Sequence, residues 1–495
     1  MLTRIVRQVG LFLCGLFLLS HSVTAAPLKK PVPASKSDPV ILKVVEQPIT
    51  VNGRKKTVYN IVQPDGTEGY RGKKGDDFNI LLKNATNKVI CIHWHGLILP
   101  NDQDGVPYVT QLPLQPGEVY PYRFKLVQSG SYWMHSHLKL WEQDLMSAPL
   151  IIDDPAEPAP KGEKEVVVML QDFTFKDPAD VLAELKKPKK MAAQQTVDAA
   201  KKAPTKSPDF SDVQYDAYLT NRKTLQNPEI VRVKPGQKVR LRLIDASAAT
   251  NFWVDIGKLK GIIIAADGSN VEPVKDRNLF QIGVGQRLDV VVTIPEKGGA
   301  FPILAKPEGT KQQTGLILAT NGSMIPRLKE TVAVAAPAFN NDQEALLHSR
   351  NPLAKKPVDI TLNYSLGGTM SPYVWTLNNE VWPLINPLKI AKGDRVEMVF
   401  TNNTRMAHPM HYHGHVFQIT EVNGNKLENG PLRDTAMVLP HQTVKVQFDA
   451  DNPGIWIMHC HILYHLLTGM ATTINYKNVT EPGFYKQLLQ GKIKE

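Results

Sequence analysis

Three stretches of this 495-residue chain repeat a single pattern. GDDFNILLKNAT from Gly75, GQKVRLRLIDAS from Gly236 and GDRVEMVFTNNT from Gly393 each run from a glycine through alternating apolar residues to Asn or Asp and then Thr or Ser. Phe78, Ile80 and Leu82 match Val239, Leu241 and Leu243, and Val396, Met398 and Phe400. Successive side chains of a strand point to opposite faces, so apolar residues at every second position describe a half-buried strand opened by a turn. The glycines lie 161 and 157 residues apart, which is the period of whole domains.

Two further elements recur in the same order. EVYPYRF from Glu118, QRLDVVV from Gln286 and QTVKVQF from Gln442 form the second, and GSYWMHSH from Gly130, GAFPILAK from Gly299 and GIWIMHCH from Gly454 form the third. Short strands with turn signals and no sustained helical period predict an all-β chain of three tandem antiparallel sandwiches, over residues 40–160, 165–325 and 345–480. The composition, 42% hydrophobic and 21% charged, suits a soluble globular protein. Of three cysteines, Cys14 lies in an N-terminal apolar run, so Cys91 and Cys460 offer no disulfide framework. The net charge of +11 comes with no motif that pairs basic residues with stacking aromatics, so no nucleic-acid partner is expected.

The first 25 residues combine Arg4 and Arg7, an apolar core from Val9 to Leu19, and a small-residue end at Val23-Thr24-Ala25. That plan reads as a secretory signal peptide, with an apolar part too short for a permanent membrane anchor. The mature protein is expected in a bacterial periplasm. The second unit carries a Lys/Ala/Pro-rich insertion at about 176–212, which opens on a short helix, DVLAELKK, and continues as a solvated segment.

The repeats also locate the histidines. Units one and three both carry HxHG, as His93-Trp94-His95-Gly96 and His411-Tyr412-His413-Gly414, and both end their third element on His-x-His, as His135-Ser136-His137 and His459-Cys460-His461. Unit two has Ile303-Leu304-Ala305-Lys306 at the corresponding place and no such pair. Chemistry therefore belongs to units one and three, and unit two reads as a spacer or a substrate-side wall. Residues two apart on a strand share a face, so each pair points one way, and four pairs from two homologous units can converge between them. Eight neutral imidazoles suit a cluster of late transition metals, with copper the best match. His21, His348 and His441 lie elsewhere, and His415 shares a face with His413 as a supporting residue rather than a ligand.

Alternation sends Cys460 the opposite way from His459 and His461, into the third sandwich. There it can meet His408, His465 and Met470, and two imidazoles, a thiolate and a thioether are the donor set of a mononuclear blue copper site for electron transfer. Ser136 stands in the place of Cys460 in unit one, so only unit three can build it. Zinc accepts the same ligands but has no redox chemistry to use a covalent link between two metal sites.

HWHG, HSH, HPMHYHGH and HCHILYHLLTGM together resemble the multicopper oxidases, which include laccases, cuprous oxidases and ferroxidases. The likeness spans most of the mature chain. It implies three cupredoxin-like Greek-key domains and four coppers: a type 1 ion on His408, Cys460, His465 and Met470; a type 2 ion on His93 and His411; and a type 3 pair on His95, His135, His137, His413, His459 and His461. It implies one-electron oxidation of a phenol, an aromatic amine, Cu(I) or Fe(II), coupled to reduction of dioxygen to water. Asp104 matches the family's acidic residue after the first HxHG, whose implied role is proton delivery to reduced oxygen. Another acidic residue, often found just after the last type 1 histidine, is absent, since Leu466 and Leu467 follow His465. The stretch DFTFKDPADVLAELKK is similar to copper-resistance oxidases of the CopA type, which implies a role in copper tolerance. The competing expectation is a non-catalytic copper-binding or scaffold protein of the same fold, which is expected to have lost ligands; a copper nitrite reductase lacks the second histidine pair.

Overall fold

The computed structural model describes residues 38–188 and 209–493, and the signal-like segment and the core of the Lys-rich insertion lie outside them. Six sheets are arranged in sequence as three facing pairs. In the first pair, strands Arg54–Val62, Val40–Val51, Asp77–Asn84 and Val119–Lys125 lie side by side in that order, opposite Tyr70–Lys73, Ser147–Asp153, Gly130–Ser136 and Ile92–His95. The second pair has six and five strands, and the third has seven and five. Phe78, Ile80, Leu82, Val239, Leu241, Leu243, Val396, Met398 and Phe400 are all fully buried, so each repeated strand turns its apolar face into its own sandwich. Each such side chain contributes roughly 1.5–3 kcal/mol relative to exposure.

Helices are few and local. Pro178–Lys186 follows an Asp177 cap whose side chain accepts from Ala179 N, and it buries Val181 and Leu185. A second helix, Leu463–Leu467, follows directly on the strand Ile455–Cys460. An asparagine brace recurs at the mouth of units one and three. Asn84 Nδ2 donates to the carbonyls of Lys88 and Leu114, and Asn402 Nδ2 to those of Met406, Val438 and Leu439. These two units are stapled together by Asn101, which donates to Ile455 O at 2.8 Å and accepts from Ile455 N at 3.1 Å. A side chain at Gly454 would collide with Asn101, so the close approach requires glycine there.

Candidate metal centre

Strand register sets the histidines side by side. Ile92–His95 pairs with Gly130–Ser136 so that His93 faces His135, and His408–Tyr412 pairs with Ile455–Cys460 so that His411 faces His459. The eight paired histidines meet between units one and three. His137 Nε2 and His413 Nε2 approach His459 Nε2 at 3.3 and 3.1 Å, and His95 Nδ1 approaches His461 Nε2 at 3.2 Å. His93 lies 5.5 Å from His135 and 5.7 Å from His411, ring centre to ring centre.

Cys460 turns the other way. Its sulfur is 3.6 Å from His408 Nδ1 and 3.6 Å from His465 Nδ1, and those nitrogens are 3.3 Å apart. The centre of such a triangle lies about 2 Å from each corner, which is a metal–ligand bond length. Met470 is fully buried in the same core, and its carbonyl accepts from Cys460 N at 3.0 Å.

The surroundings prepare these rings for a metal. Burial, followed by the charges of neighbouring histidines, holds His95, His137, His413 and His461 well below the ordinary imidazole range, and burial does the same first for His135, His408 and His459. They are therefore neutral, the form that ligates. Burial pushes the Cys460 thiol up, so that deprotonation needs a cation beside the sulfur. His93 Nε2, His135 Nε2 and His411 Nε2 are buried without a hydrogen-bond partner, and an unmet buried acceptor costs about 1–3 kcal/mol. Facing lone pairs at these distances repel unless a cation lies among them. An all-imidazole set beside a Cys/His₂ set with a buried methionine fits copper.

The second nitrogen of most of these rings is held by an acceptor or a hydroxyl, while His461 Nδ1 is buried without one, and here two aspartates form a crossed pair. Asp104 of unit one accepts from His93 Nδ1 through its carbonyl at 2.9 Å, and from His413 Nδ1 of unit three through Oδ2 at 2.9 Å. Asp434 of unit three accepts from His411 Nδ1 through its carbonyl at 2.9 Å, and from His95 Nε2 of unit one through Oδ1 at 3.1 Å. Each aspartate thus binds one histidine from each half, which sets the tautomer and leaves the other nitrogen's lone pair for a metal. Glu142 Oε2 accepts from His135 Nδ1 at 2.8 Å in a narrow cleft that Leu466 and Leu467 also line. At the cysteine site, Thr404 Oγ1 is 2.7 Å from His408 Nε2, and His465 Nε2 donates to Asp212 Oδ2 at 3.1 Å. Asp212 also accepts from Tyr373 Oη at 2.6 Å, and Trp375 stacks on His465 at 3.8 Å.

The ten histidines and Cys460 singled out as ligands lie in these two clusters, Met470 is buried with its carbonyl bonded to Cys460 N, and Asp104 lies at the edge of the larger cluster. His415 is a supporting residue: Nδ1 donates to His413 O at 3.0 Å, and Nε2 accepts from Tyr476 Oη at 2.6 Å. Cys91 is a buried free thiol that donates to Gly105 O. His441 sits in a turn at positive φ. Sequence reasoning missed Glu142, Asp212 and Asp434. Glu142, five residues after His137, and Asp434, directly before Thr435, follow no repeating pattern that marks them, and nothing marked Asp212.

Comparison with known proteins shows the family. Family models described as multicopper oxidase match residues 43–157, 164–327 and 355–479. The multicopper oxidase MmcO of Mycobacterium tuberculosis is 34% identical over 82% of this chain and 80% of its own length. Copper resistance protein A of Pseudomonas syringae pv. tomato is 28% identical over 87% and 91%. Among solved structures, Fet3p, titled as a multicopper oxidase that functions in iron import, shares the fold with a TM-score of 0.75 at 20% identity, over 91% of this chain and 94% of its own. A likeness of this extent over most of both chains, at 34% identity, makes this chain a member of the multicopper oxidase family, a copper-binding oxidoreductase that uses dioxygen.

Proposed function

We propose that this is an exported four-copper oxidase that takes single electrons from a phenol, an aromatic amine, Cu(I) or Fe(II), and that it serves in copper tolerance. The observation that carries the reading is the position of Cys460. Its sulfur faces His408 and His465, while its sequence neighbours His459 and His461 face the inter-unit cluster. Bound copper would supply one-electron exchange at the cysteine site and four-electron reduction of dioxygen to water at the larger one. His408, Cys460, His465 and Met470 would hold the type 1 ion, and His93 and His411 the type 2 ion. His95, His135 and His461, together with His137, His413 and His459, would hold the type 3 pair.

The protein's own part is to join, orient and exclude. The backbone of Cys460 connects the sulfur directly to both flanking histidines, so a continuous covalent path joins the two donor sets. Asp104, Asp434 and Glu142 hold ring N–H groups and so fix which nitrogen faces the metal. Burial of seven of the eight histidines, with His137 partly exposed, limits the access of bulk water, which strengthens the electrostatic contacts inside. The imidazole edge of His465 is covered by the buried Asp212 carboxylate, whose Oδ1 has no hydrogen-bond partner and would accept from a phenolic O–H or an amino N–H that displaced its cover.

Copper tolerance is supported by the relatives named copper resistance protein A, and breadth toward organic reductants by those named laccase, such as Laccase-4 of Thanatephorus cucumeris at 30% identity. Export is supported by the N-terminal signal pattern; among the described residues no helix is long and apolar enough to cross a membrane. The test is to load the purified protein with copper, count ions per chain, record the blue absorbance, and follow oxygen consumption with a phenol, Cu(I) and Fe(II) in turn. Four ions, a blue protein and oxygen uptake support the reading. A colourless protein that holds copper without consuming oxygen would instead favour the binding or scaffold alternative.

A further inference from the structure

Unit two supplies no candidate ligand, yet one of its turns presses directly on the inter-unit cluster. A side chain at Gly285 would meet the ring of His461 at 2.8 Å and that of His95 at 3.2 Å, so the turn backbone packs against both imidazoles. Next along the chain, Gln286 Nε2 donates to Thr435 O at 3.0 Å. Arg287 follows, fully buried, and delivers a two-pronged bond to Asp434: Nη1 to Oδ1 at 2.7 Å and Nη2 to Oδ2 at 2.5 Å.

Two further donors of Arg287 are also engaged. Nε donates to Ser131 O of unit one at 3.0 Å, and Nη1 also donates to Gly285 O at 3.1 Å. Its own backbone N–H donates to Asp267 Oδ1, and Arg433 makes the next ion pair with Asp267 at 3.2 Å. One guanidinium therefore ties unit two to units one and three at the point where Asp434 receives His95 Nε2 and His411 Nδ1. The HxHG glycine makes room for this clamp: a side chain at Gly96 would strike Arg287 Nη2 and Asp434 Oδ2.

We propose that Arg287 is a positioning residue for the three-copper site, acting through Asp434, and that unit two is the third wall of that site rather than a spacer. The physical reason is orientation. The two-pronged bond from Arg287 fixes the carboxylate plane of Asp434, and with it the Oδ1 that accepts from His95 Nε2. Without the fork the carboxylate is free to rotate, and His95 loses the partner that aims its Nδ1 into the site. Asp104, the crossed counterpart, has no arginine on it in any described contact, so the clamp is one-sided and acts on the His95 and His411 half.

The inference rests on the three-copper reading above, and the experiment separates the two. Wild-type protein, R287Q and R287K are prepared without metal, checked for folding by near-ultraviolet circular dichroism, and titrated with copper. Ions per chain, blue absorbance and the type 2 electron paramagnetic resonance signal are recorded. Both variants should keep the wild-type blue absorbance per chain, while affinity at the three-copper site falls about 10–100-fold and the type 2 signal changes shape. R287K, which keeps the charge but offers one donor in place of a fork, should lose less than R287Q. It carries the test alone should R287Q not accumulate. A variant that holds wild-type copper with an unchanged type 2 signal, even if it unfolds at a lower temperature, overturns the positioning role. Wild-type protein that takes up a single ion overturns the three-copper reading itself, and the inference with it.

Discussion

Units one and three carry the same pocket beneath the same strand, and only one of the two can hold a metal. Ser136 pairs with Ile92 as Cys460 pairs with Met410, and Ser136 N donates to Met146 O at 2.9 Å as Cys460 N donates to Met470 O at 3.0 Å. Counted from the shared asparagine brace and from the His-x-His pairs, Ile90 stands for His408 and Trp141 for His465, while Met146 keeps the place of Met470. Both pockets are buried, apart from the partly exposed Trp141, and both are framed by the same hydrogen bonds. Three side chains decide the difference. Unit three closes around soft and imidazole donors, and unit one fills the same space with an isoleucine, a hydroxyl that bonds Leu138 O, and an indole whose N–H bonds Val89 O.

The comparison is broken most severely by making unit three resemble unit one. Cys460→Ser should abolish the blue absorbance, lower the copper content by one ion per chain and end turnover on every reductant. Oxygen consumption that survives this change would refute the electron path through Cys460.

Acid should tell the two pockets apart in the metal-free protein. Burial holds His408 and His465 below the imidazole value of 6.5, so below that pH the unfolded chain binds protons that the folded one refuses. Stability is then present above about pH 6.5 and lost as pH falls, by up to about 1.4 kcal/mol per pH unit for each such histidine. Ile90 and Trp141 add nothing to this slope. Thermal unfolding of the chelated protein across pH 7 to 5 measures it. His408→Ile should flatten the slope by one histidine's share, and bound copper should suppress it, because metal and proton compete for the same nitrogens.

The support of the larger cluster gives a smaller effect. Glu142→Leu removes the acceptor of His135 Nδ1–H, and should weaken copper at the three-ion site or slow oxygen reduction by about 10–100-fold with the blue colour intact. Glu142→Gln, which keeps an accepting oxygen, should lose less. Copper titration and oxygen uptake with a fixed reductant distinguish these outcomes. Smallest of all, Ser136→Cys should change stability by about 1 kcal/mol or less and produce no second blue centre, since a thiol without two imidazoles is no copper site. A new blue band from that single change would show that the ligand count argued for unit three is wrong.

Much of this was legible in the chain because it is local. The alternation in GDDFNILLKNAT and its two counterparts foretold strands with one buried face, and those faces are buried. Parity on a strand sent Cys460 away from His459 and His461, as the distances require. Asp434, Glu142 and Asp212 were not legible: an aspartate before a threonine or a glutamate in a loop has no period to read. Unit two was expected to be a spacer or a substrate-side wall, whereas its Gly285 and Arg287 reach the larger cluster.

What the amino-acid sequence alone determined was the strand pattern, the kinds of donor and the side of the strand each occupies, since these follow from a period of two residues. Only the tertiary structure decided which histidines share a neighbour and which carboxylates hold them. His95 and Asp434 are 339 residues apart, Arg287 and Asp434 147, and His465 and Asp212 253. Contacts at such separations come from the packing of whole sandwiches. That packing is set by summed burial and by pairs such as Asn101 with Ile455, neither of which leaves a repeating trace in the chain.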